Sequence, residues 1–220
     1  MSDNNIAPDQ FSWRAFYLRR QDVRKRYPTV YSLPVRKRPT DIIFENITQG
    51  ARVLDVGAST KKLGESIKKH NPSISYKTMD IDRTQQHDYY SLADIDEKFD
   101  VITLIEVIEH LDFQDGLKLL RDLRGLLSDG GRIIMTTPNL HHPSRYWCDC
   151  DHRTHYEYQN MGAILLEAGF SLSELSRTYN DQFFRRLFRL YFAAPFHKYF
   201  DVDFADTIVA VGQASGTAPR

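Results

Sequence analysis

Short apolar runs along the chain alternate with stretches whose apolar residues recur every three or four positions, and this alternation predicts the fold. Apolar runs bounded by turn residues read as buried strands, and the longer 3.6-residue periodicity reads as helix. Strands are expected at residues 52–56, 74–79, 89–92, 99–105, 132–137, 171–179 and 205–211. Helices are expected between them at 62–70, 113–127 and 159–168, the last stopped by Gly169. A Gly130-Gly131 turn introduces the strand that Pro138 closes. Upstream, Phe11, Ala15, Leu18 and Val23 outline a basic helix over 11–26 that ends near Pro28, and Thr40 is placed to cap a helix over 41–49. Parallel neighbours need crossover connections, which are usually helical, so the pattern specifies an α/β domain with a doubly wound, mostly parallel seven-stranded sheet. Residues 1–38 are expected to form an N-terminal helical cap and linker, 39–213 the sheet domain, 180–203 an insertion before the last strand, and 214–220 a flexible tail.

Composition narrows the classes of function. A chain of 220 residues holds one α/β core with additions. Basic and acidic residues both number 29, so no overall field draws in nucleic acid or an anionic membrane. Cys148 and Cys150 are too close for an ordinary disulfide staple and lack the second pair that a zinc site needs, which suits a reducing cytoplasm. The polar start, Met1-Ser2-Asp3-Asn4-Asn5, lacks the basic and apolar regions of a signal peptide, and no apolar run is long enough to span a bilayer. A cytoplasmic protein, at most peripheral on a membrane, is expected.

Candidate chemistry begins where the first core strand stops, at Gly57. In open α/β sheets ligands bind beyond the carboxyl ends of the strands, where a glycine lets the backbone approach and a helix N-terminus offers free amides. The run Asp55-Val56-Gly57-Ala58-Ser59-Thr60-Lys61 resembles the methyltransferase loop acidic-x-Gly-x-Gly-x-Gly, with Ser59 and Lys61 in place of the later glycines. Asp80, with Ile81 after it, lies at the end of the next strand, where a carboxylate can accept both hydroxyls of a ribose; Asp82 is the rival. A dinucleotide dehydrogenase generally keeps all three glycines to admit a pyrophosphate, whereas S-adenosylmethionine carries no phosphate. Asp88 stands where methyltransferases often keep an acidic residue for the adenine amino group. Arg36-Lys37-Arg38 offers a cation for the methionine carboxylate, or else is a solvated linker.

The segment 99–111, containing Glu106-Val107-Ile108-Glu109-His110, resembles class I S-adenosylmethionine-dependent methyltransferases. The nearest groups are ubiquinone-pathway O-methyltransferases and small-RNA 2′-O-methyltransferases. With Gly130-Gly131-Arg132-Ile133-Ile134-Met135-Thr136-Thr137-Pro138-Asn139 and Glu167-Ala168-Gly169-Phe170, the resemblance spans about residues 51–179. It implies a Rossmann-like methyltransferase fold and S-adenosyl-L-methionine as methyl donor. By the same resemblance Ile105 lies along the donor's methionine portion, and Glu106, Glu109 and His110 face the acceptor. In the small-RNA enzymes the equivalent phrase binds a metal together with one later histidine. Asp151-His152-Arg153-Thr154-His155-Tyr156 offers His152 as that fourth ligand and His155 as its rival.

On chemical grounds, offsets of three and four after a strand bring two carboxylates and an imidazole to one side. Such a group can hold a divalent cation or leave a histidine as general base, with His110 and His152 the candidates and Glu106 beside them. Either route favours a hydroxyl acceptor, because the Asn-Pro-Pro-Tyr type of clamp for nitrogen is absent from the sequence. The insertion carries Phe183-Phe184-Arg185-Arg186-Leu187-Phe188-Arg189-Leu190-Tyr191-Phe192, an amphipathic helix with Phe184, Leu187, Phe188 and Tyr191 on one face. It could pack on the domain, lie on a membrane or stack on single-stranded RNA. The reading that results is O-methylation of a small-molecule, glycan or lipid-linked hydroxyl. A metal-dependent RNA 2′-O-methyltransferase and a non-catalytic scaffold are the alternatives.

Overall fold

The computed structural model describes residues 11–60 and 62–214. Its sheet contains β1 (Val35–Arg36), β2 (Arg52–Val56), β3 (Ser75–Met79), β4 (Phe99–Ile105), β5 (Leu127–Pro138), β6 (Phe170–Thr178) and β7 (Thr207–Ala214). They lie side by side in the order β1-β6-β7-β5-β4-β2-β3, and only β7 runs antiparallel to its neighbours. Among the described residues seven α-helices accompany it: α1 (Trp13–Arg26), α2 (Pro39–Asn46), α3 (Lys62–His70), α4 (Phe113–Leu126), α5 (Tyr158–Glu167), α6 (Phe183–Leu187) and α7 (Ala194–Tyr199).

The apolar runs form strands because helices cover the sheet on both faces, so successive residues can all be apolar. Leu54, Ile102 and Ile133 point to one face and pack with α4 and α5; Val53, Val101 and Ile134 point to the other and pack with α2 and α3. Phe16 and Val23 of α1 are seven residues apart, two helical turns, and both enter the first of these layers. The cap is thus part of the main core.

Several elements depart from the sequence reading. No strand forms over 89–92; Tyr89 makes one isolated parallel bridge to Met79. The seventh strand is Val35–Arg36 at the opposite edge, within the basic segment read as linker. Thr40 is not a cap: α2 begins at Pro39 after Arg38, since proline's fixed φ suits the first helical position. Gly130-Gly131 lies inside β5, where four residues bulge out between the pairs Phe99–Leu127 and Val101–Arg132. The last strand starts at Thr207, two residues late, and the expected tail lies outside the described residues except for Ala214, which belongs to β7.

The insertion is not one helix. A π-helical turn over Phe188–Phe192 follows α6, and α7 follows that. Its aromatic face does not pack on the domain: Phe184, Leu187, Phe188 and Tyr191 are all exposed. Cys148 and Cys150 are free and exposed as well. No helix among the described residues is long and apolar enough to cross a membrane.

At the root of the insertion, Asp203 is fully buried and compensated. Its Oδ1 accepts from the Arg177 guanidinium at 2.6 Å and the Tyr179 hydroxyl at 2.9 Å, and its Oδ2 from Asn139 Nδ2 at 3.0 Å. Removing one member of such a pair strands its partners in a low-dielectric interior. Asp203→Ala should therefore lower unfolding free energy by about 3–5 kcal/mol, measured by urea denaturation, with the Asn variant losing less.

Candidate active site

Gly57 makes the turn out of β2. Its φ is +72°, and a Cβ there would lie 2.4 Å from Cγ2 of Val107, so both conformation and space demand glycine. Its amide donates to the Met79 carbonyl at 2.8 Å, joining the ends of β2 and β3. Ser59, in place of a family glycine, still adopts a positive φ of 38° and donates its amide to Asp80 Oδ2 at 2.8 Å. Asp80 Oδ1 accepts from the Asp82 amide at 2.9 Å. Each Asp80 oxygen keeps a second lone pair, so the carboxylate is aimed by the loop and still able to accept two hydroxyls. Asp82 instead takes the Thr84 amide and hydroxyl, both at 2.8 Å. Lys61 lies outside the described residues.

Asp80 and Gly57 line a cleft of about 320 Å³ together with Ile81, Leu92 and Leu111. Ile81 is 82 % exposed, an apolar side chain standing free at a cleft wall. Asp55 is placed differently. It is buried in the sheet, where Tyr76 donates to it at 2.6 Å and Thr103 at 2.7 Å, so it pins β2 to β3 and β4. Burial pushes its carboxyl above the usual range despite these bonds. Asp88 lines a separate depression with Gly64, Lys68 and Tyr76. There, against the effect of burial, the Thr78 amide and hydroxyl, both at 2.9 Å, and Lys77 hold its carboxyl below the ordinary range. Arg36 is paired with Glu45 and Glu174.

Beyond the half-buried Ile105, Glu106 takes a φ of +52°, a region that non-glycine residues rarely enter and that concentrates at functional sites. Thr136 of β5 holds it there, accepting the Glu106 amide at 3.0 Å and donating to its carboxylate at 2.9 Å. Burial pushes the Glu106 carboxyl up, opposed by Thr136, Arg145 and His152. A 3₁₀ turn, Ile108–His110, follows.

Glu109 in that turn is fully buried, and neither carboxylate oxygen makes a well-formed hydrogen bond among the described residues. Burial first, then the charge of Glu106, pushes its carboxyl up to about 8; its own amide and Thr137 oppose this only in part. The Glu109 carbonyl accepts the amides of Arg153 at 2.8 Å and Thr154 at 3.1 Å. Thr154 also donates its hydroxyl to the Leu111 carbonyl at 2.6 Å. These bonds splice the later loop onto the turn and bring His152 to His110, ring centres 4.9 Å apart. His152 Nδ1 lies 2.7 Å from the Tyr146 carbonyl, which can only accept, so that nitrogen carries the proton and Nε2 keeps a lone pair.

Ligand atoms of Glu109, His110 and His152 all fall within 4.8 Å of one another. The structure thereby separates the two later histidines: His155 is exposed, packed on Tyr146 and Trp147. Glu106 adjoins the cluster but is committed to Thr136. Asn139 points inward, to Asp203 and the Ala205 carbonyl. Sequence reasoning missed Thr136 and the Tyr146 carbonyl; a buried Thr136-Thr137 pair ending an apolar strand was the available signal for the first.

The donor set fits its expected occupants. A half-buried carboxylate beside a free apolar wall suits a nucleoside, and a buried carboxyl lacking a donor beside two imidazoles suits a divalent cation or a protonated base.

Residues 29–175 match the family described as a methyltransferase domain. A ubiquinone biosynthesis O-methyltransferase from Coxiella burnetii is 29 % identical over 123 residues, covering 48 % of this chain and 50 % of that protein. The chain thus spans about half the length of the curated relatives it matches. Among solved structures, an S-adenosylmethionine-dependent methyltransferase from Archaeoglobus fulgidus superposes with a TM-score of 0.57 at 15 % identity, covering 90 % of this chain and 94 % of that one. The N-methyltransferase NodS from Bradyrhizobium japonicum, solved with S-adenosyl-L-homocysteine, gives 0.54 at 12 % identity, covering 80 % and 84 %. Because the family match covers most of the described sheet, including both the Gly57 turn and the Glu109 turn, the chain belongs to the methyltransferase-domain family of class I, S-adenosylmethionine-dependent enzymes.

Proposed function

We propose that the chain methylates a hydroxyl of a small-molecule, glycan or lipid-linked acceptor at the Glu109, His110 and His152 cluster. The observation that carries the proposal is the buried Glu109 carboxyl, which makes no well-formed hydrogen bond among the described residues, next to a histidine whose tautomer is fixed by the Tyr146 carbonyl. S-adenosylmethionine, when bound, supplies an electrophilic methyl group on a sulfonium centre. Asp80 would accept the ribose hydroxyls, and Ile81 and Leu92 would cover the adenine ring. His152 Nε2 is the lone pair that can take the acceptor's proton. The Coxiella relative, named as an O-methyltransferase, agrees with an oxygen acceptor.

A second reading shares the site. Three ligand atoms converge, and the carbonyl on the far nitrogen of His152 would aim its Nε2 at a shared cation. A divalent cation there would lower the pKa of a coordinated hydroxyl.

Purified protein given methyl-labelled S-adenosylmethionine and an organic extract of its source cells should place label in an alkali-stable ether; label only on nitrogen would refute the oxygen acceptor. Asp80→Ala should weaken S-adenosylhomocysteine binding in calorimetry by more than about tenfold, since hydrogen bonds to a charged group contribute about 1.5–3 kcal/mol each. His110→Ala and His152→Ala should each lower turnover by about a hundredfold or more without changing that affinity. Sensitivity of the unsubstituted enzyme to a chelator then separates the two readings: the base alone predicts none, the cation predicts loss restored by Mn²⁺ or Zn²⁺.

A further inference from the structure

Nine of the fifteen large apolar side chains that stand exposed among the described residues fall between Phe183 and Phe200. Phe184, Phe188, Tyr191, Phe192, Phe196 and Tyr199 are 60–81 % exposed. A patch of this size on a soluble surface marks an interaction site. Its inner side is well anchored. Arg189 pairs with Asp181 at 2.7 Å and lies 4.3 Å from the Phe204 ring centre, while His197 is buried with its carbonyl 2.8 Å from the Tyr31 hydroxyl. The aromatic side chains therefore face solvent from a fixed base.

Charge points to the partner. Residues 181–200 hold four cations, Arg185, Arg186, Arg189 and Lys198, and one carboxylate, Asp181. Arg185 and Arg189 share that carboxylate, and Arg186 and Lys198 form no ion pair among the described residues. Aromatic rings interleaved with free cations match the boundary between acyl chains and anionic headgroups. Position points the same way. The segment leaves the carboxyl end of β6 and enters the amino end of antiparallel β7, which sets it on the rim that carries Gly57, Asp80 and Glu109. The Asp203 amide donates to the His141 carbonyl at 2.9 Å and Arg145 binds Asp206 at 3.3 Å, tying the loop that carries His152 to the root of the patch.

We infer that the 183–200 segment docks on an anionic lipid bilayer and that the acceptor is a lipid-linked hydroxyl presented at that interface, an inference that rests on the methyl transfer proposed above. The full chain would be sedimented with vesicles of phosphatidylcholine alone and of phosphatidylcholine mixed with phosphatidylglycerol. Binding to the mixed vesicles is expected, weakened by salt. The triple variant F184S/Y191S/F196S should lose more than about tenfold in vesicle affinity, and R186Q/K198Q should lose the preference for anionic lipid. Both should bind S-adenosylhomocysteine like the unsubstituted chain, so a docking failure is distinguishable from failure of the methyltransferase reading. Methyl transfer to a lipid extract carried in vesicles should fall in step with binding. Docking is overturned if the unsubstituted chain ignores anionic vesicles or the triple variant binds them unchanged. It is equally overturned if the patch instead holds two copies together or binds single-stranded RNA. Transfer that is unaffected by loss of docking would overturn the lipid-linked acceptor.

Discussion

A single buried carboxylate, Asp203, joins four parts of the molecule that are far apart in sequence. Through Arg177 it reaches β6 and the Leu33 carbonyl of the cap; through Asn139 it reaches the end of β5; by its own position it closes the insertion. A charge buried this completely is tolerated only when hydrogen bonds replace its lost water, so these segments are held in one mutual arrangement. The loop that carries His152 begins at Asn139 and the exposed aromatic segment ends beside Asp203. Their relative placement thus follows from satisfying one anion.

The cluster of Glu109, His110 and His152 depends on a similar splice. Two backbone amides, from Arg153 and Thr154, meet one carbonyl, that of Glu109, and the histidine preceding them is carried into place. Next to it stands an acid whose environment favours the neutral form and a residue, Glu106, in a left-handed conformation that costs energy on its own. The well-packed layers on both sheet faces carry that local cost, since β4 and β5 around the site are almost entirely buried.

Period and punctuation made the central strands and helices legible from the sequence: β2, β4, α3, α4 and α5 fall within a residue or two of their expected bounds. What escaped was non-local. Val35–Arg36 is a strand only because β6 lies beside it, and 89–92 is not one because its pairing with β3 stops at the single Met79–Tyr89 bridge. In the site, Glu109, His110 and His152 were legible as a phrase and a later histidine. The resemblance already put His152 ahead of His155; the Glu109 carbonyl that carries His152 to His110 is what no side-chain pattern encodes. Asp88 was read toward adenine because methyltransferases often keep an acidic residue at that place; in the structure it binds the Thr78 amide and hydroxyl and lines a separate depression.

The loop after β2 has a consequence for which molecules it refuses. In nucleotide-binding turns of this kind the free amides following the glycine attract phosphate oxygens. Here the Ser59 amide is already taken by the Asp80 carboxylate, which puts a fixed negative charge where a pyrophosphate would have to sit. A phosphate at that point would meet a carboxylate and an amide already bonded, whereas a ribose brings hydroxyls that the same carboxylate can accept. The obstacle to phosphate thus rests on one bond, from the Ser59 amide to the Asp80 carboxylate.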